Sequence, residues 1–257
     1  LEEVRPTVVV STFPLSSSAM SMLKMAGLTD IPTVTVITDH TDHSYWVHPG
    51  TDRYIVGSDK VKDGLVTMGV ADYRITVTGI PVRPTFLSGA SERREEARAR
   101  LGLHAGKPVV LLMGGGYGMM HEGMMKLVEE AAIGRAVQAV VVCGHNEKLR
   151  RKLAERLDRV APGHDVHIAG FVSNMAEYMA AADLIVTKPG GLTSSEAIAM
   201  RLPMVLYRPL PGQEEDNAEF LTQAGVAVRA EGDAELCRLV HRLIADGDTL
   251  ARMRDKA

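Results

Sequence analysis

Short apolar runs alternate with amphipathic stretches along the chain, the arrangement expected when parallel strands are covered on both faces by helices. In the first part, residues 8–11, 33–37, 54–56 and 75–78 read as strands, and residues 16–26 and 60–68 as helices. The stretch Gly79-Ile80-Pro81-Val82-Arg83-Pro84 breaks this alternation with two prolines, and the charged run 91–100 reads as a solvated helix. A fresh series follows Pro108, with strands at 109–113, 139–143 and 166–169, then Leu184-Ile185-Val186, and helical patterns between them. The fold class is therefore α/β. Residues 107–257 carry enough strand candidates for a complete doubly wound unit, residues 1–84 read as an incomplete unit of the same kind, and 85–106 as a linker.

The densest candidate chemistry lies between Asp183 and Asn217: a buried strand, a Gly-Gly turn, a short helix, another strand and a polar loop. Pro189, Gly190 and Gly191 let the backbone turn sharply, and the two glycines put no side chain in the way of a ligand. The helix expected to begin near Thr193 would offer free N–H groups and a positive dipole end to a diphosphate. A competing reading exists for Glu196, because Thr193-Ser194-Ser195-Glu196 also fits a capping box that merely closes the helix start. Gln213, Glu214 and Asn217 crowd amides and carboxylates at the end of the following strand, where an open α/β sheet binds its ligands and where sugar hydroxyls find donors and acceptors.

Other strand-to-helix turns offer weaker signals. Gly114-Gly115-Gly116-Tyr117-Gly118 sits where a phosphate-cradling turn belongs, but fits neither a P-loop nor G-x-G-x-x-G; close packing of helix on strand explains such glycines equally well. Gly144 and Asn146 can reach a ligand, with Asn146 as a plain N-cap the alternative. Main-chain groups near Phe171 and Val172 can read the edge of a base, unless Phe171 is core. The segment 38–49 concentrates three histidines and the only tryptophan, and Asp39 and His40 are its candidates for acid–base assistance; a polar loop around a packed Trp46 competes with a zinc site whose ligand spacing is unconvincing.

Composition narrows the classes. Hydrophobic residues make up 46% of the 257, and a net charge of −3 supplies no global field for nucleic acid. Cys143 and Cys237 stand far apart in apolar patterns, which suits reduced core thiols of a cytosolic protein. No apolar run approaches the roughly 20 residues of a membrane span. The chain opens at Leu1 almost directly on its first strand, so an amino-terminal portion is expected to be missing from it.

Taken together, Val172-Ser173-Asn174-Met175 with Glu177-Tyr178-Met179, Thr187-Lys188-Pro189-Gly190-Gly191 with Glu196-Ala197, and Gly212-Gln213-Glu214 with Asn217 resemble glycosyltransferase family 28, and within it the monogalactosyl- and glucosyl-diacylglycerol synthases. Thr38-Asp39, Trp46, His48, Asp52, Tyr54 and the turn Thr78-Gly79-Ile80-Pro81-Val82 resemble the same lipid-directed branch. The resemblance implies a GT-B fold of two Rossmann-like domains. It implies transfer of a hexose from UDP-glucose or UDP-galactose to a lipid acceptor such as diacylglycerol, without an obligatory metal or other cofactor. It places the diphosphate near Gly115, Gly116, Gly190, Gly191 and Thr193, the uracil on the main chain at Phe171 and Val172, the ribose on Glu196, and the sugar on Gln213 and Glu214, with Asn217 supporting that loop. It also implies a cytoplasmic protein, peripheral on the inner face of the membrane through its amino-terminal domain. The glycine-rich loop ending in histidine that family members carry near the amino terminus is not found before Val8. A transferase of the peptidoglycan lipid intermediate, a UDP-sugar 2-epimerase and a non-catalytic nucleotide-sugar module remain the alternatives.

Overall fold

The computed structural model describes residues 1–87, 94–115, 118–134, 136–161 and 164–257. They form two compact units, Leu1–Pro81 and Val82–Ala257.

In the first unit, β1 (Val9–Ser11), α1 (Pro14–Met25), β2 (Thr33–Val36), β3 (Arg53–Val56), α2 (Asp59–Thr67) and β4 (Ile75–Val77) follow one another, and the strands pair in parallel in the order β1-β2-β3-β4. The expected strands and helices are all present, with ends shifted by a residue or two. Their core gathers Ile37, Trp46, Tyr54, Val56, Val61, Leu65, Val70 and Ile75. Trp46 is 1% exposed, so the segment read as a polar loop is anchored by a packed indole. The Tyr54 hydroxyl accepts from the His48 amide at 3.0 Å and donates to the His48 carbonyl at 3.1 Å, tying that segment to β3. Helix α1 buries two of its four serines, Ser17 and Ser21, with Met20, and leaves Leu15, Met22 and Met25 exposed.

The second unit comprises α3 (Arg94–Arg100), β5 (Val109–Met113), α4 (Glu122–Gly134), β6 (Gln138–Val142), α5 (Glu147–Val160), β7 (His167–Ala169), α6 (Met175–Ala181), β8 (Leu184–Thr187), α7 (Gly191–Ala199), β9 (Met204–Tyr207), α8 (Gln213–Gln223), β10 (Ala227–Ala230), α9 (Asp233–Ala245) and α10 (Gly247–Lys256). Its six strands run parallel in the order β10-β9-β8-β5-β6-β7. Alternation along β5 explains why the strand is apolar throughout. Val110 and Leu112 enter one core with α4 and α9, while Val109, Leu111 and Met113 enter the other with α6, α7 and α8. The chain moves outward from β5 to β7, then returns to lay β8 on the other side of β5. The switch point of the sheet is thus the crevice between the carboxyl ends of β5 and β8.

Two boundaries differ from the sequence reading. The units divide at Pro81 and Val82, and the described part of 85–106 belongs to the second unit instead of forming a linker. Phe86 is 1% exposed in the second unit's core, and Arg98, on a helix expected to be solvated, is buried. Its guanidinium donates to the Ala181 carbonyl at 3.0 Å, the Ala105 carbonyl at 2.8 Å and the Asp183 carboxylate at 2.6 Å. A charged run concealed this clamp, because composition does not say which arginine finds buried acceptors.

Candidate functional site

The site is built where successive βα turns meet at the carboxyl edge of the six-stranded sheet. Register pairs Met113 of β5 with Thr187 of β8, so the turn at Gly114 and Gly115 lies beside Lys188, Pro189 and Gly190. The glycines of the first turn divide into two kinds. A Cβ on Gly118 would lie 1.8 Å from the Cys143 carbonyl oxygen and one on Gly114 1.8 Å from that of Met119, so these two exist for close backbone packing. Gly115 instead has φ +74° with open space at its Cβ position, as Gly190 also does at an ordinary φ, and such openings let a ligand approach main-chain amides. Gly116 lies outside the described residues. Gly144, buried with φ +56°, begins the turn after β6, and Asn146 caps α5, its side-chain oxygen accepting from the Leu149 amide at 2.9 Å.

Helix α7 starts at Gly191, earlier than the expected Thr193, and this settles the local role of Glu196. Its N-cap is Gly190, which offers no side chain, and Thr193 lies inside the helix, so the capping box does not form. Ser194 and Ser195 are occupied in another way. The Ser194 hydroxyl donates to the Gly190 carbonyl at 2.9 Å, and that of Ser195 to the Gly191 carbonyl at 2.7 Å. The first intrahelical bond is made by the Ser194 amide to Gly190 at 3.0 Å, so the amides of Gly191, Leu192 and Thr193 precede the ladder, at the positive end of the dipole. No hydrogen bond from the described residues reaches the half-buried Glu196 carboxylate. Burial raises its pKa, with Arg83 pulling the other way.

The turn before α7 is held from behind. Asn217, 0% exposed, donates from Nδ2 to the Pro189 carbonyl at 3.0 Å, and the Gly190 amide bonds back to Lys188 at 2.8 Å. Gln213 to Asn217 are not the expected loop but the opening turns of α8, with Gly212 at φ +94° as N-cap. Three carboxylates in the first turn suit that helix start, which is why an acidic run read as irregular is helical. Glu214 is not a free sugar ligand in this state: Lys188 Nζ lies 2.8 Å from one of its oxygens, and the Leu210 amide donates to the other at 2.7 Å.

The base-reading turn places Phe171 outside the core, 64% exposed and stacked at 4.3 Å between centroids on His145. Val172 packs partly against the core beneath it. Several polar groups at this edge were not singled out from the sequence. Arg208 extends from the end of β9 with φ +51° and pairs with Asp233 at 3.0 Å, while Asp233 accepts from Tyr207. His121 has its pKa lowered by burial and then by Arg208 and Lys188, with Asp233 pulling the other way. The signal for Arg208 and Lys188 was available, since each directly follows a strand at the ligand edge.

Asp39 and His40 follow β2 in the first unit. Asp39 is half-buried, and His40 is 5% exposed with its pKa lowered by burial to about 4, which keeps it neutral at pH 7 and makes it a weak base. Among the described residues no group of three His, Cys, Asp or Glu side chains is placed to hold a metal ion, and no helix is long and apolar enough to cross a membrane.

Comparison with known proteins places this geometry. Solved structures that match include Anabaena HepE in complex with UDP-glucose, with TM-score 0.64 and 15% identity over 97% of this chain and 72% of that one. UDP-GlcNAc 2-epimerase from Neisseria meningitidis bound to UDP-GlcNAc matches with TM-score 0.69 and 17% identity over 100% of this chain and 73% of that one. These likenesses give the fold, GT-B, with a Rossmann-like parallel sheet in each unit. Processive diacylglycerol beta-glucosyltransferases of Bacillus subtilis and Bacillus pumilus are 34% and 35% identical over 99% and 97% of this chain. The chain spans 65% and 63% of the length of those relatives. Residues 1–82 match the monogalactosyldiacylglycerol (MGDG) synthase family, and residues 109–257 the glycosyltransferase family 28 C-terminal domain. With that carboxyl-terminal match extending over more than half of the sequence, the chain belongs to glycosyltransferase family 28.

Proposed function

We propose that the chain is part of a transferase that moves a hexose from a UDP-sugar to a lipid hydroxyl, diacylglycerol in the first instance. The observation that carries the reading is the start of α7, where unladdered amides, the open approach at Gly190 and the unbonded carboxylate of Glu196 stand together. In this reading the diphosphate rests on Gly115, Gly190, Gly191 and Thr193, and the ribose hydroxyls donate to Glu196. The uracil meets the main chain at Phe171 and Val172, close to Gly144, and Gln213 receives the sugar, with Glu214 joining it once Lys188 turns from that carboxylate to the diphosphate. The acceptor hydroxyl attacks the anomeric carbon, the bond from that carbon to the diphosphate oxygen breaks, UDP leaves with the electron pair, and the acceptor proton passes to a base. Asp39 and His40 are this chain's candidates for that base, and the lowered pKa of His40 makes it a weak one. The α7 dipole and Lys188 answer the charge growing on UDP, so no divalent metal is required.

The names of the Bacillus relatives support glucose as donor and diacylglycerol as acceptor. Peripheral contact with a membrane is supported by the exposed Phe13, Leu15, Met22, Met25 and Leu28 in and around α1. Calorimetry with UDP in the presence of EDTA tests the donor site: saturable binding is expected, and Glu196→Ala should weaken it by about tenfold, the worth of one lost charge-assisted pair. Transfer assays that offer UDP-glucose and UDP-galactose with diacylglycerol test the rest. Turnover with UDP-N-acetylglucosamine alone would replace the lipid-directed reading by one of its alternatives.

A further inference from the structure

The opposite edge of the six-stranded sheet holds a second concentration of charge, far from the α7 start in the fold because it surrounds the amino ends of β8 and β9. Asp183, just before β8, receives Arg98 at 2.6 Å, Arg94 at 3.1 Å and Arg254 at 3.6 Å. Arg201, at the end of α7 with φ +52°, pairs with Asp255 at 2.8 Å. Among the described residues the ion pairs of these four arginines run to Asp183 and Asp255, so guanidiniums outnumber carboxylates. Asp183 has little left to give: one oxygen already accepts from Arg98 and from the Val109 amide at 2.8 Å.

Two donors have no acceptor. The Nε–H groups of Arg94 and Arg254 are buried without a hydrogen-bond partner, and both residues line a cavity of about 430 Å³. Arg201 and Asp255 stand on the same wall, and Leu87, Met179, Met200 and Leu202 supply an apolar one. Burial and then the proximity of Arg94 lower the pKa of Arg254, with Asp183 pulling the other way and Arg98 adding to the fall.

We propose that this basal cavity is a binding site for an organic phosphate, whose phosphoryl oxygens accept from Arg94, Arg254 and Arg201 while its apolar body lies against Leu87, Met179 and Met200. A phosphoryl group suits planar guanidinium forks, and a dianion matches the excess of arginines. The same chemistry comes from a soluble phosphate ester or from the headgroup of a phospholipid, and the site is distinct from the UDP site by residue and by sheet edge.

The experiment observes arginine side-chain Nε–H resonances of this chain, held saturated with UDP, during titration with hexyl phosphate and, separately, with monomeric dihexanoyl phosphatidylglycerol. Saturable shifts at Arg94 and Arg254 are expected with at least one probe, with sodium chloride at matched ionic strength producing none. The probe that saturates at the lower concentration identifies the source of the phosphate. Arg94→Gln leaves the Arg98–Asp183 pair in place and should weaken binding about tenfold, with Arg201→Gln, on an exposed side chain, weakening it in the same direction. The affinity for UDP should be unmoved by either change. Shifts that stay linear with both probes, or binding that survives both substitutions, would overturn the proposal.

Discussion

Glu196 and His40 show how burial sets the work a single side chain can do. For Glu196 the folded pKa lies above the usual 4.5, chiefly through burial, so the folded chain holds its proton more tightly than the unfolded chain does. The sign of the linkage follows: its contribution destabilises the fold as pH rises above 4.5 and is fully felt beyond the raised pKa. Glu196→Gln is therefore expected to be more stable than the parent at pH 7 and equal to it below pH 4, while binding UDP less well. Urea midpoints at the two pH values decide this. A variant less stable at pH 7 would mean that the carboxylate has a structural partner after all. His40 works in the opposite direction. Its pKa falls from 6.5 to about 4, so the unfolded chain binds the extra proton and stability declines as pH drops from 6.5 towards 4, by about 3 kcal/mol at the acid end. His40→Gln should flatten that decline in the unfolding of the first unit, and an unchanged pH slope would show that another group titrates there.

At the scale of elements, the site depends on helices holding turns in place. Asn217 reaches from α8 to the Pro189 carbonyl with its side chain wholly buried, so the approach to α7 is supported from a neighbouring helix. Asn217→Ala removes a buried donor and opens a small void, and should cost about 2 kcal/mol while also weakening UDP binding. Denaturation together with calorimetry would check both, and full UDP affinity in a destabilised variant would detach Asn217 from the site. The strands and the glycine turns were readable from the chain, because buried parallel strands are continuous apolar runs and few residues besides glycine tolerate Gly115's φ. The helix starts were less readable. Thr193-Ser194-Ser195-Glu196 carries the letters of a capping box, yet the helix begins ahead of it because Gly190 and Gly191 can enter without a side-chain cap, freeing the serines to bond backwards. Nor could spacing reveal the Lys188–Glu214 pair, which forms only once β8 and β9 lie side by side.

For the molecule as a whole, the two units differ in how much structure each can sustain alone. Both large core clusters, with every residue given to the UDP-sugar and Arg83 beside Glu196, lie within Val82–Ala257. The core of Leu1–Pro81 is a single small cluster around Trp46 and Tyr54 beneath four strands. A core of that size in a chain of about 80 residues supplies only about 3–5 kcal/mol, whereas the larger unit buries enough apolar surface for cooperative folding. Excised 82–257 is therefore expected to unfold in one cooperative transition and to bind UDP within about threefold of the longer chain, a difference under 1 kcal/mol. Sugar transfer is not expected of it, since Asp39 and His40 lie outside the piece. The comparison separates folding from recognition: circular dichroism reports whether the piece is folded, and calorimetry whether it still holds the nucleotide. A folded piece that has lost UDP by tenfold or more would mean that Gly190, Glu196 and their neighbours do not make the donor site by themselves.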